Sequence, residues 1–181
     1  VTEVIKVTSY QLRHFGKEAS TILVLAVVLF AAGAIAMIRT TTFVQSSHAL
    51  VAMSDADLAS QADLVVLATV GGQTSRAVTT PGSHTLTTTT LNVERTLKGA
   101  PRATVQVTTR GGDAGTVIER DEDEAQFAPG RVLVFLYADP TNGPMVLGGI
   151  QGLYRVAGDM ARSEAREVPL NQLLATIAAR R

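Results

Sequence analysis

Three histidines, His14, His48 and His84, are the only imidazoles in the chain, and none has a His or Cys three or four residues on. Neither HExxH, GxSxG nor a Walker sequence occurs. The spacings that pair two ligands on a helix face, raise a serine on an elbow or cradle phosphates are therefore missing. Ser83 and His84, together with Asp113, are the parts of a nucleophile, a base and an orienting acid that separate loops would have to assemble. Arg110-Gly111-Gly112-Asp113-Ala114-Gly115 could turn backbone N–H groups toward an anion, but reads more readily as a glycine-rich, flexible hairpin turn. Asp121, Glu122, Asp123 and Glu124 offer hard oxygen ligands without the spacing or glycine of a calcium loop, and read as a solvated loop. The chain has no cysteine, which excludes disulfides, thiolate metal sites, thioether haem attachment and cysteine nucleophiles. These residues name no reaction. We expect no enzyme, cofactor or metal, and take His84, Arg110, Gly111, Gly112 and Asp113 as candidates for a ligand or partner loop.

The element that would position everything else is Ala19 to Ile38, ASTILVLAVVLFAAGAIAMI, twenty residues without a charged side chain that stop at Arg39. At about 1.5 Å per residue they make a helix of about 30 Å, the thickness of a bilayer's hydrocarbon core. No face of that helix is polar, and a helix apolar all round belongs in lipid or in a core larger than 181 residues can build. Ala34-Ile35-Ala36 has the small-x-small form of a secretory cleavage site. The sequence includes the whole run, however, and we expect an uncleaved anchor: a cytoplasmic tail over 1–18 and a transmembrane helix over 19–39. Lys6, Arg13 and Lys17 precede the run and only Arg39 follows it before Arg76, which puts the N-terminus in the cytoplasm and the rest outside. Within the span, Ala32, Gly33 and Ala36 form a small-residue stripe on which another helix could dock.

The whole chain has 16 basic and 16 acidic residues, and removing the four basic and two acidic ones up to Arg39 leaves 12 against 14. So even a balance gives no footprint for nucleic acid. Residues 40–61 read as a stalk followed by a short helix, with Ser54 as its cap and Asp55 and Asp57 in its first turn. From Ala62 the pattern becomes that of strands. Asp63 to Val70 is an apolar run buried on both faces, followed by a loop over Gly71 to Ser83. His84 to Leu97 alternates, with Thr87, Thr89, Leu91 and Val93 on one face, and Ala103 to Arg110 repeats the pattern with Val105 and Val107 inward. The many threonines suit a half-exposed pleated surface. Arg131 to Tyr137 is the most apolar strand and the expected centre. Leu170, Leu173, Leu174 and Ile177, after Pro169, carry the period of an amphipathic helix over 169–181. The expected fold is thus a single transmembrane helix followed by a mainly-β domain over 62–168, a small antiparallel barrel (OB-like) or a sandwich, with a C-terminal helix.

Ala62-Asp63-Leu64-Val65-Val66, a Thr-rich strand ending Val93-Glu94-Arg95-Thr96-Leu97-Lys98-Gly99, and Pro129-Gly130-Arg131-Val132-Leu133-Val134-Phe135-Leu136 follow one another in this order. The layout resembles that of uncharacterised bacterial extracytoplasmic β-domains and, more distantly, the OB-fold barrels of the netrin and metalloprotease-inhibitor type. The likeness covers Ala62 to Val156 and implies barrel strands and turns, with no ligand. The chain lacks the N-terminal cysteine on which those inhibitors depend, so their activity is not implied.

Two functions of different class fit this organisation. The favoured one is a non-enzymatic single-pass accessory subunit of a larger membrane complex in the bacterial inner membrane, such as a respiratory or photosynthetic electron-transfer assembly. Its helix would dock on other transmembrane subunits in lipid while the β-domain braces the periplasmic or extracellular face. The other is a membrane-tethered binding module for a peptide, glycan or cell-wall ligand.

Overall fold

Two strands carry the strongest apolar runs, β2 (Leu64–Val78) and β7 (Arg131–Asp139). They pair antiparallel, Leu64 opposite Leu136 and Thr69 opposite Arg131. Because alternate residues of a strand point to opposite faces, their side chains sort into two cores. Leu64, Val66, Ala68, Val132, Val134 and Leu136 enter one, while Val65, Leu67, Leu133 and Phe135 enter the other. The expectation of a first strand buried on both faces follows from this sharing.

The computed structural model describes residues 42–46, 50–78, 84–115 and 117–180. The expected cytoplasmic tail, the transmembrane helix and the docking residues Ala32, Gly33 and Ala36 lie outside the described residues. Among the described residues no helix is long and apolar enough to cross a membrane.

Around the β2–β7 pair runs an eight-stranded sheet. β3 (His84–Lys98) pairs with β2, and β4 (Thr104–Arg110) with β3, both antiparallel. β8 (Gly143–Val146) lies parallel to β4, with Thr108 opposite Met145, and makes the sheet mixed. The free edge of β7 is divided. Val132 to Val134 pair with β9 (Leu153–Ala157), and Leu136 to Asp139 pair with β8. Five strands, β7-β2-β3-β4-β8, therefore pair in a cycle, and β9, β10 (Met160–Arg162) and β11 (Glu167–Pro169) run off from it.

The core inside this cycle is the first cluster, joined by Leu91, Val105, Val107, Val146 and Leu153. The second cluster lies on the other face, beneath two helices. Helix α1 (Asp55–Gln61) starts at Ser54, whose hydroxyl accepts the Asp57 N–H while the Asp57 carboxylate accepts the Ser54 N–H, a reciprocal cap. It buries Leu58 and Ala59. Helix α2 (Leu170–Ala178) follows Pro169 and buries Leu173 and Ile177. Beneath them the rings of Phe135 and Tyr154 meet edge to face at 6.1 Å.

Three stretches differ from the sequence expectation. The loop expected over Gly71 to Ser83 is strand as far as Val78, because Gly71 and Gly72 form a bulge between the Val70 and Gln73 pairings rather than a turn. A Cβ on Gly71 would come 3.0 Å from the Thr90 carbonyl, so glycine there allows a close backbone approach. The stretch expected as a stalk contains β1 (Thr42–Ser46), parallel to β6 (Val117–Asp121). The expected flexible turn Gly111 to Gly115 contains β5 (Gly112–Asp113), antiparallel to β6 in the same three-stranded sheet.

Candidate functional site

Toward the β2–β3 hairpin end, the inward positions of the strand cycle change from hydrocarbon to hydroxyl. Along β3 the same face carries Leu91, then Thr89, Thr87 and Thr85; along β4 it carries Val105, Val107 and then Thr109. Opposite them on β2, past the bulge, stand Gln73 and Ser75, paired with Thr89 and Thr87. The threonines expected on a half-exposed surface are in part interior: Thr85, Thr89 and Thr109 are buried. Their face is set by register with the Leu91 and Val107 side, which overrides the surface preference of the residue type.

Over this hydroxyl end lie Arg110 to Asp113 and, beside them on β6, Ile118 and Glu119. Gly111 and Gly112 have φ of 90° and 131°, where a side chain is strained. A Cβ on Gly112 would overlap the Thr87 hydroxyl and lie 2.7 Å from Ser75 Oγ. Only bare backbone can cross so close. The crossing leaves a cavity of about 520 Å³ between the strand cycle and the three-stranded sheet, lined also by Ile118, Glu119, Arg120 and Phe127.

Of the loop candidates, Arg110, Gly111, Gly112 and Asp113 line this cavity, and its lining does not include His84. His84 is half-buried at the start of β3, opposite Val78. Ser83 lies outside the described residues. The cavity residues not named as candidates from sequence include Gln73, Ser75, Thr87, Thr89, Thr109 and Glu119. The alternation of β3 and β4 already put Thr89 on the Leu91 face, and burial at the hydroxyl end was the missing step.

Hydrogen bonds fix most of the lining. The Thr87 hydroxyl donates to the Gly111 carbonyl at 2.6 Å and stands 2.8 Å from Ser75 Oγ. Gln73 Nε2 donates to the Phe127 carbonyl at 2.8 Å. The buried Glu119 carboxyl accepts the Thr85 N–H. On this face two hydroxyls stand apart: Thr85 Oγ1 and Thr89 Oγ1, each in a residue with 0% exposure, have no hydrogen-bond partner among the described residues, and of the two only Thr89 belongs to the lining. A buried hydroxyl left so costs about 1–3 kcal/mol unless something enters to meet it.

The acidic run expected as a solvated loop is more ordered than that. Asp121 ends β6 and is buried, the Asp123 N–H donates to Asp121 Oδ1, and the Asp123 carbonyl accepts the Ile150 N–H. Burial raises the Glu124 pKa to about 7, partly opposed by the Arg110 N–H that its carboxyl accepts and reinforced by Asp121. No group of three residues arranged to hold a metal ion occurs among the described residues.

No protein-family profile matches the chain, and no curated protein is significantly similar to it.

Proposed function

We propose that the chain is a membrane-tethered extracytoplasmic binding module. A cavity of about 520 Å³ on which Ser75, Thr87, Arg110 and Glu119 converge carries this reading, for clefts of about 300–1,000 Å³ with a few convergent polar groups are the usual form of small-molecule sites. The order of the cycle supports an OB-like barrel over a sandwich, since its third strand, β4, runs parallel to its fifth, β8, and its first, β2, pairs with the second and fourth. The apolar run Ala19 to Ile38 supplies the tether, and the basic residues before it set the domain outside the bacterial inner membrane.

The test is titration of the full chain, in a detergent without a sugar headgroup, with a soluble muropeptide, a disaccharide bearing a short stem peptide. Resonance shifts confined to residues lining the cavity are the expected result. No shift at millimolar muropeptide removes the reading.

The accessory-subunit reading keeps one observation in its favour, the exposure of Phe43 at 58% and Val51 at 81%, apolar groups on which a neighbouring subunit could rest. Stoichiometric co-purification with transmembrane partners supports it. Recovery alone and monodisperse from mild detergent overturns it.

A further inference from the structure

We propose that the face of the domain carrying Phe43, Leu50 and Val51 rests on the bilayer that holds the tether. The inference depends on the membrane-tethered reading and names the partner of that face, a zwitterionic lipid surface with amine headgroups. Among the described residues these three are the exposed large hydrophobic side chains, at 58%, 37% and 81%. All three fall within nine residues of sequence, soon after the apolar run Ala19 to Ile38. Exposed apolar groups gathered in one place mark a surface that something covers.

The fold holds these side chains out. Phe43 stands in β1, every residue of which is in register with β6, and the nearby Gln45 Nε2 donates to Glu122 Oε1 at 2.7 Å. The Val51 carbonyl accepts from Gln151 Nε2 at 3.0 Å and the Met53 N–H donates to Gln151 Oε1 at 2.9 Å, so the backbone is pinned while the Val51 side chain stays in solvent. One segment connects the two places. Asp123 lines a hollow with Phe43, and its carbonyl accepts the Ile150 N–H beside Gly149, where a Cβ would lie 3.5 Å from Leu50 Cδ2.

Chain length selects lipid as the occupant. Four peptide steps separate Ile38 from Thr42, the first residue of β1, and they reach no further than about 14 Å. The headgroup layer beyond the hydrocarbon is about 5–8 Å deep. With the apolar run in the bilayer, covalent connection alone keeps β1 close to the headgroups, and no partner chain is needed to bring a surface to Phe43. Charge selects the kind of lipid. The hollow beside Phe43 is lined by Asp121, Glu122, Asp123, Glu124 and Glu164 against Arg120. An anionic headgroup meets repulsion there, whereas the ammonium of phosphatidylethanolamine meets carboxylates.

The chain has no tryptophan, so a single introduced indole reports its own surroundings. Full-length Phe43→Trp, Val51→Trp and, as reference, Arg102→Trp are reconstituted into vesicles of phosphatidylethanolamine and phosphatidylcholine, with and without lipid brominated near the headgroup end of its acyl chains. Arg102 is exposed in the turn after β3, at the end of that strand opposite the Thr85 contact with β6. The first two variants are expected to lose about half of their emission or more to the brominated lipid, and the reference to lose none. Replacing phosphatidylethanolamine by phosphatidylglycerol is expected to reduce the quenching. Unquenched emission from the first two variants, in a chain that stays in the vesicles through an alkaline carbonate wash and still binds muropeptide, overturns the lipid assignment and leaves the tethered module standing. Emission that is unquenched but shifts to the blue as the protein-to-lipid ratio rises assigns the face to a second copy and overturns it as well. Stronger quenching in phosphatidylglycerol overturns the choice of headgroup. Release of the chain by the carbonate wash overturns the tethered reading and this inference with it.

Discussion

The Tyr154 hydroxyl donates to Asp55 Oδ1 at 2.6 Å, joining the middle of β9 to the first turn of helix α1 across 99 residues of sequence. Arg166 Nη1 lies 3.1 Å from the same oxygen, so one carboxylate gathers a strand, a helix and the segment before β11. Tyr154 is fully buried; burial first, then the bond to Asp55, raises its pKa and keeps it a donor. Tyr154→Phe leaves the ring packing on Phe135 and removes one bond to a charged acceptor. We expect a loss of about 1–3 kcal/mol in urea unfolding, with unchanged far-ultraviolet dichroism.

Glu124 makes stability depend on pH in the direction opposite to a salt-bridged acid. Its pKa is raised from the ordinary 4.5 to about 7, first by burial. The folded state therefore binds a proton that the unfolded chain has already lost. Its contribution is fully present below about pH 4.5 and is lost as pH rises through about 7. Glu124→Gln should flatten this part of a melting-temperature profile between those limits. At pH 8 it should exceed the parent by about 1–2 kcal/mol. A parent profile that instead climbs relative to the variant across this window contradicts the assignment.

Gly112 and Gly115 separate backbone strain from collision. Both have positive φ, 131° and 83°, but a Cβ on Gly115 meets nothing within 4 Å, whereas one on Gly112 runs into Thr87 and Ser75. Gly115→Ala should cost about 1 kcal/mol for conformation alone. Gly112→Ala should cost about 2–4 kcal/mol, since it adds overpacking to the same strain. Paired thermal melts give the difference directly, and muropeptide titration of the Gly112 variant reports whether the cavity closes with it.

Much of the β-domain could be read from period and punctuation. The alternation of β3, the apolar run of β7, the Ser54 cap and the Leu173–Ile177 face of α2 each follow from local rules, and each takes the face those rules assign. Gly71-Gly72 was misleading because a glycine pair marks a turn or a bulge alike, and the choice depends on whether β3 lies alongside to continue the ladder. The same applies to Gly112, whose strand exists because β6 comes back beside it from further along the chain. For the cavity, sequence supplied Arg110 to Asp113 as a glycine-rich stretch but not its floor. Ser75, Thr89 and Glu119 are ordinary strand residues until three separate segments converge, and a Thr-rich strand looks the same whether its hydroxyls face water or an interior hollow.

Because β2 and β7 each contribute to both hydrophobic clusters, neither cluster can melt while the other stays intact. Val65 and Val66, adjacent in sequence, anchor opposite layers, and their amides should exchange with deuterium only through the same global opening. The domain is thereby bound into a single cooperative transition despite its two greasy layers, and calorimetric and van't Hoff enthalpies should agree.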